Sequence, residues 1–275
     1  MGKPDSEKEF TFWEHLEALR WTILRSLGVV TVLTFVFFGF KDFVFSKIIL
    51  PPLNSDFYTY RLLCLLSEKL KKPGLCPDDF SVQLININLA GQFITHITSS
   101  LIMAVVLSMP YLLFEIWRFI NPALYEHERK NISIIFLSSS FLFYLGALVS
   151  YFLIFPLTIR FLGTYQVSGL VTNQISIQSY MNALGILIFS LGIMFELTIV
   201  IYALNRIGLV SKKALKSFRK YAFVGILIIA AVITPTTDPF TMLVVALPIY
   251  LLYEVSILLC NKDLPALESD SEEED

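Results

Sequence analysis

The sequence predicts an all-α integral membrane protein with six transmembrane helices, of which the last two are short. The chain of 275 residues is 55% hydrophobic and only 16% charged, which is more apolar material than one soluble core buries. The apolar residues come in blocks long enough to cross a bilayer, rather than as alternating core and surface positions. The last apolar stretch is interrupted by a turn-forming cluster at residues 235–239, so it predicts two helices rather than one.

Ahead of the first span, residues 1–22 are predicted to form a cytoplasmic amphipathic helix. Apolar residues recur at helical spacing between Phe12 and Arg20, and Thr11 and Glu14 have the spacing of a capping box. Taken alone, this segment is best interpreted as an interfacial helix that leads into the membrane.

The six-span membrane domain is predicted to occupy residues 23–260. We expect its spans at residues 23–40, 97–117, 132–155, 181–204, 221–234 and 240–260. The fifth span, with about 14 residues, would extend only about 21 Å, against about 30 Å for the hydrocarbon core of a bilayer. We therefore expect the bilayer to thin beside it or its ends to snorkel. Pro110 and Pro248, which fall inside spans, are expected to bend them and to give the helix layer a concave wall.

The distribution of Lys and Arg predicts that the N- and C-termini are both cytoplasmic. Six spans place both termini on one side of the membrane, and the fourth loop on that side contains Arg206, Lys212, Lys213, Lys216, Arg219 and Lys220. Residues 261–275, which become strongly acidic from Glu268 onward, are predicted to form a disordered cytoplasmic tail. Cys260, just before this tail, is expected to be a membrane-facing thiol.

The loop between the first two spans, at residues 41–92, is expected to form an ordered cap on the outer face. It contains a helical pattern over residues 58–70 and an alternating pattern over residues 82–88. Cys64 and Cys76 lie in this loop, where an oxidising compartment would allow a disulfide bond. The sequence is equally compatible with a bridge and with two free thiols.

Motifs along most of the chain resemble those of the TatC family. The segment Pro110–Arg129 reads PYLLFEIWRFINPALYEHER, and the Ser- and Phe-rich span after it ends in YFLIFP at residues 151–156. Phe195-Glu196 in the fourth span, and Ile233-Thr234-Pro235 followed by Asp238, agree with the same pattern. The long outer loop and the acidic tail are the least similar parts.

The resemblance implies a function in protein export. TatC proteins bind the twin-arginine signal peptides of folded precursor proteins on the cytoplasmic face. They work with single-span TatA- and TatB-type membrane proteins in a larger, self-assembling complex that uses the proton-motive force. The resemblance therefore implies the core receptor subunit of the twin-arginine translocation system. It would be a multi-pass protein of the bacterial cytoplasmic (inner) membrane with a concave, TatC-like helix layer, and it would be neither an enzyme nor dependent on a cofactor, a metal or nucleic acid.

Carboxylates at the cytoplasmic boundary are the expected partners of the two signal arginines. Guanidinium groups are planar and permanently charged, and they pair best with carboxylates that accept charge-assisted, often bidentate hydrogen bonds. Glu128 matches the second-loop glutamate of the family and is the first candidate for this site. The alternative is an exposed ion pair of Glu128 with Arg129 or Lys130, which would contribute little.

The amphipathic helix departs from the family pattern His-Leu-x-Glu-Leu-Arg, because Ala18 stands where that glutamate belongs. Glu17, also a candidate for signal-peptide binding, lies one position earlier and points about 100° away around the helix, so it would serve if the helix rotates or the signal peptide is met differently. Glu14, one turn before Ala18, is the candidate substitute for signal-peptide binding. His15 and Arg20 keep their family positions and are expected either to fix this helix against the second loop or to position lipid phosphates.

Acidic residues inside the spans form a second group of candidates. Glu196 lies near the middle of the fourth span, where an ionised carboxylate costs about 2.5 kcal/mol or more, so it must be protonated, paired or hydrated. The resemblance implies a polar patch that a partner helix contacts, and a hydrogen bond to a neighbouring span is the alternative. Glu115 can pair with Arg118 at i,i+3 spacing, and structural roles are expected for both Glu115 and Glu254. Asp238 matches the acidic residue that follows Thr-Pro in the outer turn, and turn formation explains it equally well.

Other function classes find little support. No Gly in the chain is followed two residues later by Ser, and the three His residues are scattered, so a catalytic site is not expected. Neither a phosphate-binding loop nor a Cys/His cluster with metal-ligand spacing is present in the sequence. The alternative that remains is a small-solute or proton-coupled secondary transporter in which Glu196 relays protons. Such folds usually contain internal repeats, and we find none here.

Overall fold

The computed structural model describes residues 12–70, 83–120, 132–168, 173–206, 208–234 and 238–260. Most of these residues are helical, which confirms the predicted all-α class. In chain order the helices are α1 (Phe12–Gly39), α2 (Tyr58–Leu70), α3 (Gly91–Ile120), α4 (Ile132–Val149), α5 (Phe155–Thr164), α6 (Ile177–Arg206), α7 (Lys212–Ser217), α8 (Arg219–Ile233) and α9 (Pro239–Leu259).

Within the described residues, five helical segments are long and apolar enough to cross a membrane. They are α1, α3, α6, α9 and the continuous segment Phe136–Thr164, in which a π-helical turn at Ser150–Ile154 joins α4 to α5. Helix α8 has 15 residues, close to the short fifth span that the sequence predicts. The number of six spans and their sidedness stay predictions.

The described part of the predicted amphipathic helix, residues 12–22, is continuous with the first span in one helix, α1, which packs along α3; residues 1–11 lie outside the described residues. None of the side chains in its most apolar stretch is buried within the chain. After α1 the chain turns back over the bundle through Lys41–Phe43, a π-helical turn at Val44–Ile49 and a 3₁₀ turn at Pro51–Leu53. Helix α1 is therefore held from one side only, and its other faces are available to lipid or to a partner.

Helix α2 lies over one end of the bundle and has the bounds that the sequence pattern predicts. Tyr60 anchors it: the side chain is fully buried, and its hydroxyl donates to the carbonyl oxygens of Pro156 at 3.0 Å and Pro52 at 3.3 Å. Burial raises the pKa of Tyr60 to about 12, so the phenol stays protonated and remains a donor at neutral pH. Two short strands, Leu84–Ile85 and Ile175–Ser176, pair in parallel. This pairing connects the loop between α1 and α3 to the loop between α5 and α6.

The cysteines behave differently from one another. Cys64, on α2, is disulfide-bonded. Cys76 lies outside the described residues, so the pairing of Cys64 with Cys76 stays a prediction. Cys260 is a free thiol that is completely buried at the end of α9, and the expectation that it faces the membrane is wrong.

Helix α6 is the centre of the bundle and packs against α3, α4 and α9. Its contact with α4 is close because glycines stand on both sides. A Cβ atom at Gly146 would lie 2.8 Å from the carbonyl oxygen of Leu191, and one at Gly192 would lie 2.5 Å from the ring of Phe143. Small residues of this kind let helix backbones approach each other in a membrane, where van der Waals packing drives association.

Replacement of Gly192 by Ala tests this close approach. We expect Gly192→Ala to destabilise the purified protein by about 1–3 kcal/mol, because the methyl group overlaps the buried ring of Phe143. The measurement is the thermal unfolding midpoint in detergent. Gly225→Ala is the matched control: a Cβ atom there meets no described atom within 4 Å, so the midpoint should hold or rise. Equal losses in the two variants would contradict the proposed packing role of Gly192.

Candidate functional site

The predicted site residues fall into three regions of the described structure. Glu14, His15, Glu17 and Arg20 all lie on the first turns of α1, and their side chains are exposed. Glu196 lies on α6, and Asp238 lies at the start of α9. Glu128 lies outside the described residues.

A stacking contact joins the start of α1 to the end of α3. The rings of His15 and Phe119 stack with their centroids 4.3 Å apart. Phe119 is the penultimate residue of α3, directly before the loop that contains Glu128. The contact fixes the start of α1 against α3 itself; whether His15 acts on the second loop or on lipid phosphates stays a prediction.

The acidic positions of the amphipathic helix lie on one side of it. Glu14 and Ala18 are four residues apart and therefore share a helix face, and Glu17 is offset from Ala18 by one residue. Both glutamates are exposed rather than packed into the α1–α3 contact. The start of α1 thus presents exposed carboxylates near the end of α3, although the family's own glutamate position is occupied by Ala18.

One intramembrane ion pair differs from the prediction. Glu115, whose side chain is only 2% exposed, accepts a hydrogen bond from Tyr111 at 2.9 Å and lies 3.6 Å from the guanidinium of Arg25 on α1. The partner of Glu115 is therefore not Arg118, with which i,i+3 spacing would allow a pair: the carboxylate is directed into the α1–α3 contact and pairs with a cation of the other helix, in a structural role. Arg25 is 41% exposed, so it reaches the buried acid from the rim of that contact.

A signal for this pair exists in the sequence and was missed. Arg25 falls two residues inside the first predicted span, and Glu115 is the acid of the second. A cation within an apolar span needs a partner, and the antiparallel packing of consecutive spans brings the two together. The i,i+3 rule considers only one helix, and for that reason it selected Arg118.

Glu196 lies in the contact between α4 and α6. Ser139 on α4 donates a hydrogen bond from its hydroxyl to Oε2 of Glu196, so the neighbouring-span alternative describes an existing interaction. The other carboxylate oxygen, Oε1, is buried without a hydrogen-bond partner among the described residues. The flanking residues Ile193 and Leu197 are 49% and 41% exposed. Glu196 therefore combines one internal bond with one unsatisfied oxygen, next to an apolar surface.

The remaining acidic candidates have structural contacts. Glu254 on α9 forms an ion pair with Arg219 at 2.6 Å and accepts a hydrogen bond from Tyr250 at 3.2 Å. This pair ties α9 to the basic fourth loop, as expected for a structural residue. Asp238 caps α9: its carboxylate accepts a hydrogen bond from the backbone N–H of Thr241 at 2.7 Å.

Comparisons with known proteins agree with one another. The sequence profile of the family described as Sec-independent protein translocase protein (TatC) matches residues 14–248. The TatC protein of Blattabacterium from Periplaneta americana is 36% identical over 255 residues, which is 92% of this chain and 96% of the relative. The Aquifex aeolicus protein is 34% identical and covers 90% and 92%, respectively. A crystal structure described as the twin arginine translocase receptor TatC in DDM has a TM-score of 0.72 and 33% identity, and the match covers 90% of this chain and 100% of the other.

The Arg25–Glu115 pair predicts a specific order of stabilities. We expect Arg25→Ala to cost about 2 kcal/mol, less than the 3–5 kcal/mol of a fully buried pair, because Arg25 is partly exposed. Glu115→Gln should cost less, since it leaves no charge buried, and the double variant should be more stable than Arg25→Ala alone. Thermal unfolding in detergent measures all three. Arg118→Ala is the control, and a loss equal to that of Arg25→Ala would restore the intrahelical pair predicted from the sequence.

Proposed function

The chain belongs to the TatC family of Sec-independent protein translocases, and on this basis we propose that it is the receptor subunit for twin-arginine signal peptides. It is a multi-pass membrane protein with a role in Sec-independent protein transport. The proposed receptor binds the signal peptides of folded precursors at the cytoplasmic boundary and organises their export, driven by the proton-motive force, across the bacterial cytoplasmic membrane.

The His15–Phe119 stack is the observation that best supports this proposal. It places the acidic start of α1 beside the end of α3, from which the loop containing Glu128 continues. A twin-arginine motif carries two adjacent guanidinium groups, so it needs two carboxylates at neighbouring positions rather than one. The contact between the start of α1 and the end of α3 supports such an arrangement, in which Glu128 would contribute one carboxylate and α1 the other.

We assign Glu128 to one signal arginine and the acids of the amphipathic helix to the other. Glu14 is the first choice on that helix because it shares the face of Ala18, where the family has its glutamate. Glu17 is the second choice. His15 and Arg20 position the helix: His15 stacks on Phe119, and Arg20, an exposed cation ahead of the first span, would pair with lipid phosphates.

Glu196 is the proposed contact for a partner in the membrane. TatA- or TatB-type single-span helices are the expected class of partner, within a self-assembling complex. The apolar face of such a helix would cover Ile193 and Leu197, and a polar side chain on it would satisfy the buried Oε1 once the Glu196 side chain rotates outward. Polar groups inside a bilayer gain most from a partner when they are otherwise unsatisfied.

Removal of Glu128 tests the receptor site directly. We expect Glu128→Ala to reduce photo-crosslinking of a twin-arginine signal peptide to membrane vesicles by about tenfold or more, since a hydrogen bond between charged groups contributes about 1.5–3 kcal/mol. A peptide with Lys-Lys in place of Arg-Arg should crosslink poorly to the wild type and lose little more in the variant.

Glu126→Ala, two residues away in the same loop, is the matched control and should retain crosslinking. The receptor proposal would be contradicted if Glu128→Ala kept full crosslinking and normal transport while Glu196→Gln lost transport. That ranking would favour a proton-coupled transporter over a signal receptor.

The missing family glutamate gives a gain-of-function test. We expect Glu14→Gln to weaken peptide crosslinking by about two- to fivefold, as for an exposed charge pair, and Ala18→Glu in the same chain to restore it. Glu17→Gln should have a smaller effect than Glu14→Gln because its side chain points about 100° away from the face of Ala18. If Ala18→Glu fails to compensate, the second signal arginine is not bound by this helix face.

A further inference from the structure

An apolar cleft of about 250 Å³ opens in the half of the bundle that lies below α2. One wall is a face of α3 that includes Ile102 and Val106, and the opposite wall includes Ala147 and Leu148 of α4. A face of α6 forms the floor, and the π-helical turn contributes Ile48 at the end nearest α2. Leu148 is 51% exposed, so the cleft is open toward the membrane rather than sealed inside the chain.

The polar atoms in this lining are already bonded to the protein. Ser99 donates to a carbonyl of its own helix at 2.9 Å, Tyr144 donates to the carbonyl of Leu107 at 3.2 Å, and Tyr151 donates to that of Ile48 at 2.6 Å. None of the described lining residues is charged. A buried water needs two to four polar partners, which this lining does not offer, and an empty cleft forfeits dispersion contacts. The lining therefore favours a hydrocarbon ligand over water or a polar ligand.

The size of the cleft discriminates between hydrocarbon ligands. An α-helix with its side chains is about 10–12 Å across, so a cleft of this volume cannot enclose one. A cavity of about 150 Å³ in another protein binds benzene, so this larger cleft has room for a section of a single extended chain. A lipid tail meets this requirement, whereas a peptide helix could insert only one or two side chains.

A second cleft, of about 460 Å³, continues from the first toward α2. The two share Ile48, Tyr151 and Phe152, and the second is also lined by the polar residues Lys47 and Asn54. The surface thus changes from apolar to polar over a short distance, at the level where the spans end. A phospholipid shows the same change along its length, from apolar acyl chains to a polar headgroup.

The charge at this polar end favours an anion. Asp56 also lines the second cleft, but its carboxylate lies 3.5 Å from the guanidinium of Arg61, which offsets its charge. Lys47 is exposed, and the structure records no ion pair for it among the described residues. A lysine ammonium at the membrane boundary complements the phosphate of a lipid headgroup.

We propose that the two clefts together bind one phospholipid from the leaflet on the side of α2. One acyl chain occupies the apolar cleft between α3, α4 and α6, and the phosphate lies beside Lys47. This binding site is separate from the start of α1, and it requires the membrane-spanning fold but not the proposed receptor function. The lipid joins the cap to the bundle and completes the packing of the three helices.

The test uses the full chain in vesicles of phosphatidylethanolamine and phosphatidylglycerol with a trace of phosphatidylethanolamine that carries a diazirine on its acyl chain. After photolysis, peptide mapping by mass spectrometry locates the label. We expect labelling of the cleft faces of α3 and α4 to exceed that of the exposed face of α1 around Val32 by about fivefold or more, which corresponds to about 1 kcal/mol of preference. Equal labelling of the two regions would overturn the proposal.

Two pairs of variants separate the acyl site from the headgroup site. Val106→Phe fills the cleft and should abolish the excess label, whereas Val32→Phe, the same substitution on a lipid-exposed face, should not. Lys47→Gln should reduce the excess labelling of the cleft over the exposed face of α1, and Lys69→Gln on α2 should leave this excess unchanged. Ala147→Leu replaces Val106→Phe if the larger side chain prevents folding, judged by gel filtration and thermal unfolding. Excess label that survives filling of the cleft contradicts the proposed acyl site.

The competing occupant is the hydrophobic segment of a signal peptide. A twin-arginine peptide with a photoreactive residue in that segment provides the comparison under the same conditions. If the peptide labels the cleft and the lipid probe does not, the cleft is a peptide site and the lipid proposal is overturned. If the lipid probe labels the cleft in the absence of any peptide, the proposal stands whatever the fate of the receptor hypothesis.

Discussion

The close approach of α4 and α6 is the contact on which the rest of the structure depends. Gly146 and Gly192 remove the side chains that would keep these helices apart, and Phe143 and Phe195 fill the space from opposite sides. Because lipid tails are as apolar as the side chains of the bundle, association in the membrane depends on such packing rather than on exclusion of water. The same approach sets Ser139 against Glu196, and it fixes the distance between two walls of the apolar cleft.

The α1–α3 contact has a different character, and this difference bears on function. It has an aromatic stack of His15 on Phe119, with ring centroids 4.3 Å apart, and a loose ion pair of Arg25 with Glu115 at 3.6 Å, which lies one turn away along α3 and about three turns away along α1. Helix α1 has no second neighbour of comparable extent among the described elements. A helix held along one side and anchored by a few polar and aromatic contacts can present its charged start at a defined place, while its apolar length stays available to lipid or to other proteins. The defined position of the charged start would serve the proposed receptor site. The available apolar length would serve assembly into a complex.

Local patterns in the sequence were sufficient for much of the fold. The bounds of α2 follow from helical spacing, and the shortness of α8 follows from the turn cluster at residues 235–239, because both signals lie within one segment. The partner of Glu115, the burial of Cys260 and the Ser139–Glu196 bond could not be derived in this way, since each depends on which faces of two distant helices meet. A rule that considers neighbours three or four residues apart always finds a partner on the same helix. For Glu115 it found Arg118, and the structure has Arg25.

Contacts between distant segments also explain why the sequence predicts the candidate site only in part. The chemistry of a twin-arginine motif demands two carboxylates, and the sequence offers Glu128, Glu14 and Glu17 without stating which pair can act together. The stack of His15 on Phe119 reduces that choice, because it sets the start of α1 beside the end of α3. Ala18 then points to Glu14. Because the family position has no carboxylate here, the nearest carboxylate on the same helix face that could bind a signal arginine is that of Glu14. Specificity for arginine over lysine would then come from bidentate pairing of each guanidinium with carboxylates contributed by two separate chain segments, because an ammonium group cannot pair in this way.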